Sequence, residues 1–132
     1  MTTFTDVFTG APVYPTNVIF REVTVVGTMT LVWPVETTAT DNICPRFLYI
    51  TAASATPIVR LPSAKIGGVG ADVLIFNASA TNVTVQGMTG TVLGVVPGGQ
   101  LFLFTVRNDL TDAGFWLAFQ FGASTYSASA AS

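Results

Sequence analysis

Leu101-Phe-Leu-Phe-Thr-Val106 and Phe115-Trp-Leu-Ala-Phe-Gln-Phe121, joined by Asn108-Asp-Leu-Thr-Asp-Ala-Gly114, decide how this chain folds. Each run is short, aromatic and bounded by turn residues, which is the pattern of a β-strand. Successive strand side chains point to opposite faces. Phe115, Leu117, Phe119 and Phe121 therefore share one face, and Trp116, Ala118 and Gln120 the other. One face can fill a core. The other, carrying Trp116, is still apolar enough to need a cover, so Trp116 and Phe119 are the expected contacts between copies of the chain.

Working outward, the same pattern recurs along the sequence. Glu22 to Val26, Thr28 to Trp33, Arg46 to Ala52, Asp72 to Asn77, Asn82 to Gln86 and Thr91 to Val96 all read as strands. Pro57-Ile-Val-Arg-Leu-Pro62 reads as an edge strand, because proline cannot donate to a ladder. Pro97-Gly-Gly-Gln100 is a turn, and the glycines between Ser63 and Ala71 make a loop. No run of ten residues keeps a helical period. The expected fold is all-β, an antiparallel β-sandwich or jelly-roll-like domain over residues 21–122. Residues 1–20, with Pro12 and Pro15 and no period, read as an extended N-terminal arm, and residues 123–132 as an Ala/Ser-rich tail. A short echo links Val23-Thr-Val-Val-Gly-Thr-Met-Thr30 with Val83-Thr-Val-Gln-Gly-Met-Thr89; in so Val- and Thr-rich a chain it reads as coincidence.

The composition says what such a domain must do with its surface. Of 132 residues only 9% are charged, none is histidine, and no charge occurs from Val73 to Val106 or from Ala113 to Ser132. Soluble domains keep about a quarter of their residues charged and expose apolar patches of at most a few hundred Å². A bilayer-spanning helix needs about 20 consecutive apolar residues, and Asn, Thr, Gly, Pro or Gln interrupts every run here well before that. Cover by other protein chains is therefore expected, with no membrane partner. The five basic residues are scattered singly and the net charge is −2, which leaves no basic patch for nucleic acid.

Chemistry is scarce. Without histidine there is no Ser-His-Asp or Cys-His arrangement. Cys44 is the only cysteine, so an internal disulfide and a zinc site of the Cys/His type are both excluded, and it reads as a buried thiol. Asp109 and Asp112 are the one close pair of carboxylates, placed on a turn where Asp ordinarily satisfies backbone donors. Gly67-Gly-Val-Gly70 is followed by a strand, not by the helix a phosphate loop requires. No catalytic residue, metal or cofactor is expected. The start of the chain lacks the basic and apolar regions of a secretory signal.

The order of elements resembles a module recurrent in bacteriophage virion proteins. Leu61-Pro-Ser-Ala64, a glycine loop, Val73-Leu-Ile-Phe-Asn77, Val83-Thr-Val85, Val96-Pro-Gly98 and Gly114-Phe-Trp116 follow its pattern. So do Tyr14-Pro15, Leu31-Val-Trp-Pro34 with Glu36, and Phe119-Gln-Phe-Gly-Ala123. Ser63 stands where the module carries Asp. The resemblance implies a non-enzymatic protein located on the virion, a homotrimer related either to head-decoration (cement) proteins or to the virion-proximal domains of tail fibres. A compact domain with an apolar arm better suits a cement protein bound to the major capsid protein. The arm residues Phe4, Phe8, Val13, Tyr14 and Pro15 are then the expected capsid contacts. A short tail or head fibre module, with Trp33 and Trp116 as sugar-stacking platforms, is the alternative.

Overall fold

A computed structural model describes residues 4–5, 12–13, 19–34 and 43–121. In chain order the strands are β1 (Phe4–Thr5), β2 (Pro12–Val13), β3 (Phe20–Val25), β4 (Thr28–Thr30), β5 (Phe47–Ala52) and β6 (Ile58–Arg60). A single helical turn, α1 (Ala64–Gly67), precedes β7 (Asp72–Asn77), β8 (Val83–Gln86), β9 (Val92–Val96), β10 (Leu101–Asn108) and β11 (Phe115–Gln120). Five strands form one sheet, in the order β11-β10-β7-β5-β3, and four form the other, in the order β4-β6-β8-β9. The protein is an all-β sandwich of these two sheets.

The pairing is mixed. β3, β5 and β7 are parallel neighbours in one sheet, and β4, β6 and β8 are parallel neighbours in the other. Parallel strands need a crossover between them, commonly a helix. Here each crossover is itself a strand of the facing sheet: the chain passes β3 to β4, β5 to β6 and β7 to β8, changing sheet each time. Three similar rungs are thereby stacked. Phe20, Phe47 and Leu74 are in register at intervals of 27 residues. The two later rungs turn through the same words, Ala53-Ser-Ala-Thr56 and Ala78-Ser-Ala-Thr81. The echo between Val23 and Val83, by contrast, places its two halves in different sheets. Antiparallel hairpins β8-β9 and β10-β11 complete the sheets.

Pro57 and Pro62 do not make β6 an edge strand. It lies inside its sheet between β4 and β8, because both prolines fall outside the three paired residues. Ile58 N donates to Gly27 O at 2.8 Å and Leu61 N to Gln86 O at 2.8 Å, so the ladder never calls on a proline nitrogen.

The core lies between the sheets. Leu48, Ile50, Val73, Ile75 and Phe104 enter it from the five-stranded side, and Val59, Leu61, Val83, Val85 and Val96 from the other; all are fully buried. Gly94 lets β9 approach the Phe104 ring, which lies 3.5 Å from where a Cβ would sit. Cys44 is a buried free thiol whose pKa is pushed up to about 12, chiefly by burial, with the Arg21 charge opposing and Asp72 reinforcing the shift. It therefore stays protonated and a poor nucleophile at neutral pH. In the N-terminal region β1 pairs antiparallel with β2, Phe4 opposite Val13. Phe8, Tyr14 and Pro15, the polar loop at 37–42 and the tail at 123–132 lie outside the described residues.

Candidate assembly surface

The two outward faces of the sandwich differ in chemistry. On the four-stranded sheet the registered rows are Thr28-Ile58-Thr84-Val95 and Thr30-Arg60-Gln86-Val92. Arg60 Nε donates to Gln86 Oε1 at 3.0 Å, and threonine hydroxyls fill much of the rest. Val92 and Val95 stand exposed among these polar residues, so this face is only partly apolar.

The outer face of the five-stranded sheet is more apolar. One row crosses all five strands as Phe20-Phe47-Leu74-Leu103-Phe119. The next runs Glu22-Tyr49-Phe76-Leu101, and Phe121 N closes it with a 3.0 Å bond to Leu101 O. The rings hold one another: Phe20 stacks on Phe47 at 5.5 Å, and Tyr49 meets Phe76 at 5.4 Å. The most exposed members stand at the two flanks, Phe20 at 46% on β3 and Phe119 at 50% beside β11's neighbours Phe115 and Phe121. Among the described residues the charges beside the rows are Glu22, at the β3 end of the second row, Asp72 and Arg107. The Arg107 guanidinium sits 5.4 Å from the centre of the Phe115 ring.

Of the two expected intermolecular contacts, Phe119 is on this surface and Trp116 is not. Trp116 is 6% exposed and faces the core opposite Val106, its indole stacked on Trp33 at 6.5 Å. The strand is turned the other way from the sequence reading, with the phenylalanines outside. Both faces of β11 are apolar, so alternation alone could not choose between them. The choice is made by pairing with β10, whose Phe102, Phe104 and Val106 point inward. Buried in this way, Trp116 offers no exposed flat face for sugar stacking.

The residues of the Leu61–Ala64 corner hold the frame. Ser63 is buried at the corner before α1; its Oγ accepts from Ile66 N at 3.2 Å and donates to Asp112 Oδ1 at 2.8 Å. Ala64 N donates to Asp112 O at 2.8 Å, and Trp33 Nε1 donates to Ser63 O at 2.6 Å. Asp112 thus braces a corner, and Asp109 has no share in that bonding. An aspartate at position 63 would set a second carboxylate against Asp112. Ser63→Asp is therefore expected to cost about 2–3 kcal/mol at pH 7, and adding Asp112→Asn to recover most of it, read by urea unfolding. A Ser63→Asp protein as stable as the parent would refute this account of the corner.

Other features offer less. A cleft of about 300 Å³ between β9 and the 113–116 segment is lined by Gly87, Leu93, Gly114 and Trp116 among others, with no charged side chain. Among the described residues no cluster of three or more His, Cys, Asp or Glu side chains could hold a metal, and no helix is long and apolar enough to cross a membrane. Comparison with family models, with curated proteins and with solved structures finds no match to this chain.

Proposed function

We propose that this protein is a non-enzymatic structural component of a bacteriophage virion, a decoration (cement) protein that docks across capsid subunits as a homo-oligomer, expected to be a trimer, and stiffens the shell. The observation that carries the assembly reading is the unequal pair of outer faces, one of mixed polar and apolar residues and one with a row that is apolar from flank to flank. The virion reading rests on the order of the frame motifs from Leu61 to Trp116. Burying apolar surface yields about 25 cal/mol per Å², while each association costs about 4–15 kcal/mol in lost freedom. One small apolar arm is marginal against that cost. A trimer presenting three arms turns the second and third attachments into local events and gains avidity with no new contact.

The arm, with Phe4, Phe8, Val13, Tyr14 and Pro15, is assigned to the major capsid protein. Deleting residues 1–16 is expected to abolish attachment to particles of the phage encoding this chain, while circular dichroism and sedimentation stay those of the parent. Attachment at the parental level would remove the arm from the mechanism. Failure of the full chain to bind any such particle would remove the virion reading.

A further inference from the structure

We propose that the outer face of the five-stranded sheet is where identical copies of this chain meet, through the flanks formed by Phe20 and Phe119. Three observations favour a second copy over another kind of occupant. The first is area. Aromatic side chains carry about 150–250 Å² each, so the half-exposed phenylalanines at 20, 115, 119 and 121, with their partly buried neighbours, present on the order of 600 Å². In a closed ring each copy uses both flanks, so releasing one copy breaks two contacts and re-exposes about 1,200 Å², the lower bound for a stable protein pair. The second is charge. The margin holds two acids, Glu22 and Asp72, and one base, Arg107. A margin that carries both signs meets no uniform repulsion from an identical face.

The third is placement. Phe20 stands on edge strand β3 and Phe119 on edge strand β11, at opposite sides of one sheet. A contact using different flanks on each copy is heterologous, and such contacts close into rings when the rotation allows. Among the described residues neither edge strand has a second strand neighbour, and an edge of that kind is one a further copy can shield.

If the assembly reading above fails, this assignment fails with it, but the two failures look different. Virion attachment reports on the first. The mass of the purified full chain in solution, by sedimentation equilibrium, reports on the second. The parent is expected as a multiple of its 13.8 kDa chain mass. Phe119→Glu and Phe20→Glu, both at half-exposed positions, are expected to raise the dissociation constant at least about a hundredfold and leave a folded monomer by circular dichroism. Val95→Glu, on the outer face of the four-stranded sheet, should leave the oligomer intact. A monomeric parent overturns the assignment, whether the face is then covered by the chain's own terminal segments or by a different protein. So does an oligomer that survives both phenylalanine substitutions.

Discussion

Gly114→Ala is expected to lower the melting temperature by roughly 10–15 °C. A Cβ at this position would lie 2.2 Å from the Cβ of Ala64 and 2.7 Å from Asn108 O. Neither neighbour can retreat. Ala64 is fully buried in α1 and its N–H is held by Asp112 O, while Asn108 ends β10 beside Phe115. Overpacking of this kind costs about 1–3 kcal/mol. The backbone adds to it, since φ is +60° at Gly114 and an L-residue in that region costs about 1–2 kcal/mol. A domain of ordinary stability has only about 5–15 kcal/mol in total. Gly99→Ala is the control: φ is +78° there, yet nothing lies within 4 Å of its Cβ, so only the backbone cost remains. Thermal unfolding of the two variants separates the terms. Equal melting temperatures would mean that the corner between Ala64 and Gly114 is loose and that the frame reading of Leu61 to Trp116 is mistaken.

The elements of the sandwich were legible because its strands are short, β-rich and separated by turn residues. Asp72–Asn77, for example, occupies the expected range without change. Strand direction was not legible. Nothing in Phe47–Ala52 says whether its neighbour is parallel, since direction depends on where the preceding crossover goes, and here it goes through the opposite sheet. The one local clue was the repeated Ala-Ser-Ala-Thr at 53–56 and 78–81, a turn shared by successive rungs. The weaker Val-Thr-Val echo matched the alphabet but not the architecture.

The same physics limits the reading of the surface. Low charge raises the expectation that some face is covered, because that follows from composition alone. Which face it is depends on the pairing of β11 with β10, a non-composition fact, and so Trp116 and the phenylalanines exchange sides. Phe20, Phe47, Leu74, Leu103 and Phe119 come from five separate segments. No window of sequence contains their row.

Asn77 is where the second large effect is expected. It is fully buried at the end of β7, where the chain leaves one sheet for the other. Its Nδ2 donates to Thr81 O at 2.6 Å and to Val96 O at 2.9 Å, and its Oδ1 accepts from Ser79 N at 3.0 Å and Ser79 Oγ at 2.6 Å. One amide therefore ties the β7-β8 turn to the end of β9, across the sandwich. Its backbone adds the β9-β10 crossing, with Gly99 N donating to Asn77 O at 2.7 Å. Asn77→Ala leaves those buried carbonyls and the Ser79 donors without this partner, at about 1–3 kcal/mol for each group that water cannot reach. A total of about 3 kcal/mol is expected in urea unfolding. Asn77→Asp is the sharper test, because it keeps the shape and changes only the donors. The carboxylate still accepts from Ser79 but meets the Thr81 and Val96 carbonyls with negative charge, in a site without solvent. Its pKa in the folded state is then raised above the unfolded value, so the folded form holds the proton more tightly. Stability is retained below the unfolded carboxyl pKa and lost as pH rises through the folded one. Asn77→Asp is thus expected to fall below Asn77→Ala at pH 7 and to overtake it near pH 4, where the protonated acid again donates to one carbonyl. Parallel stability curves for the two variants across that range would mean that the amide donors of Asn77 do not hold the two sheets together.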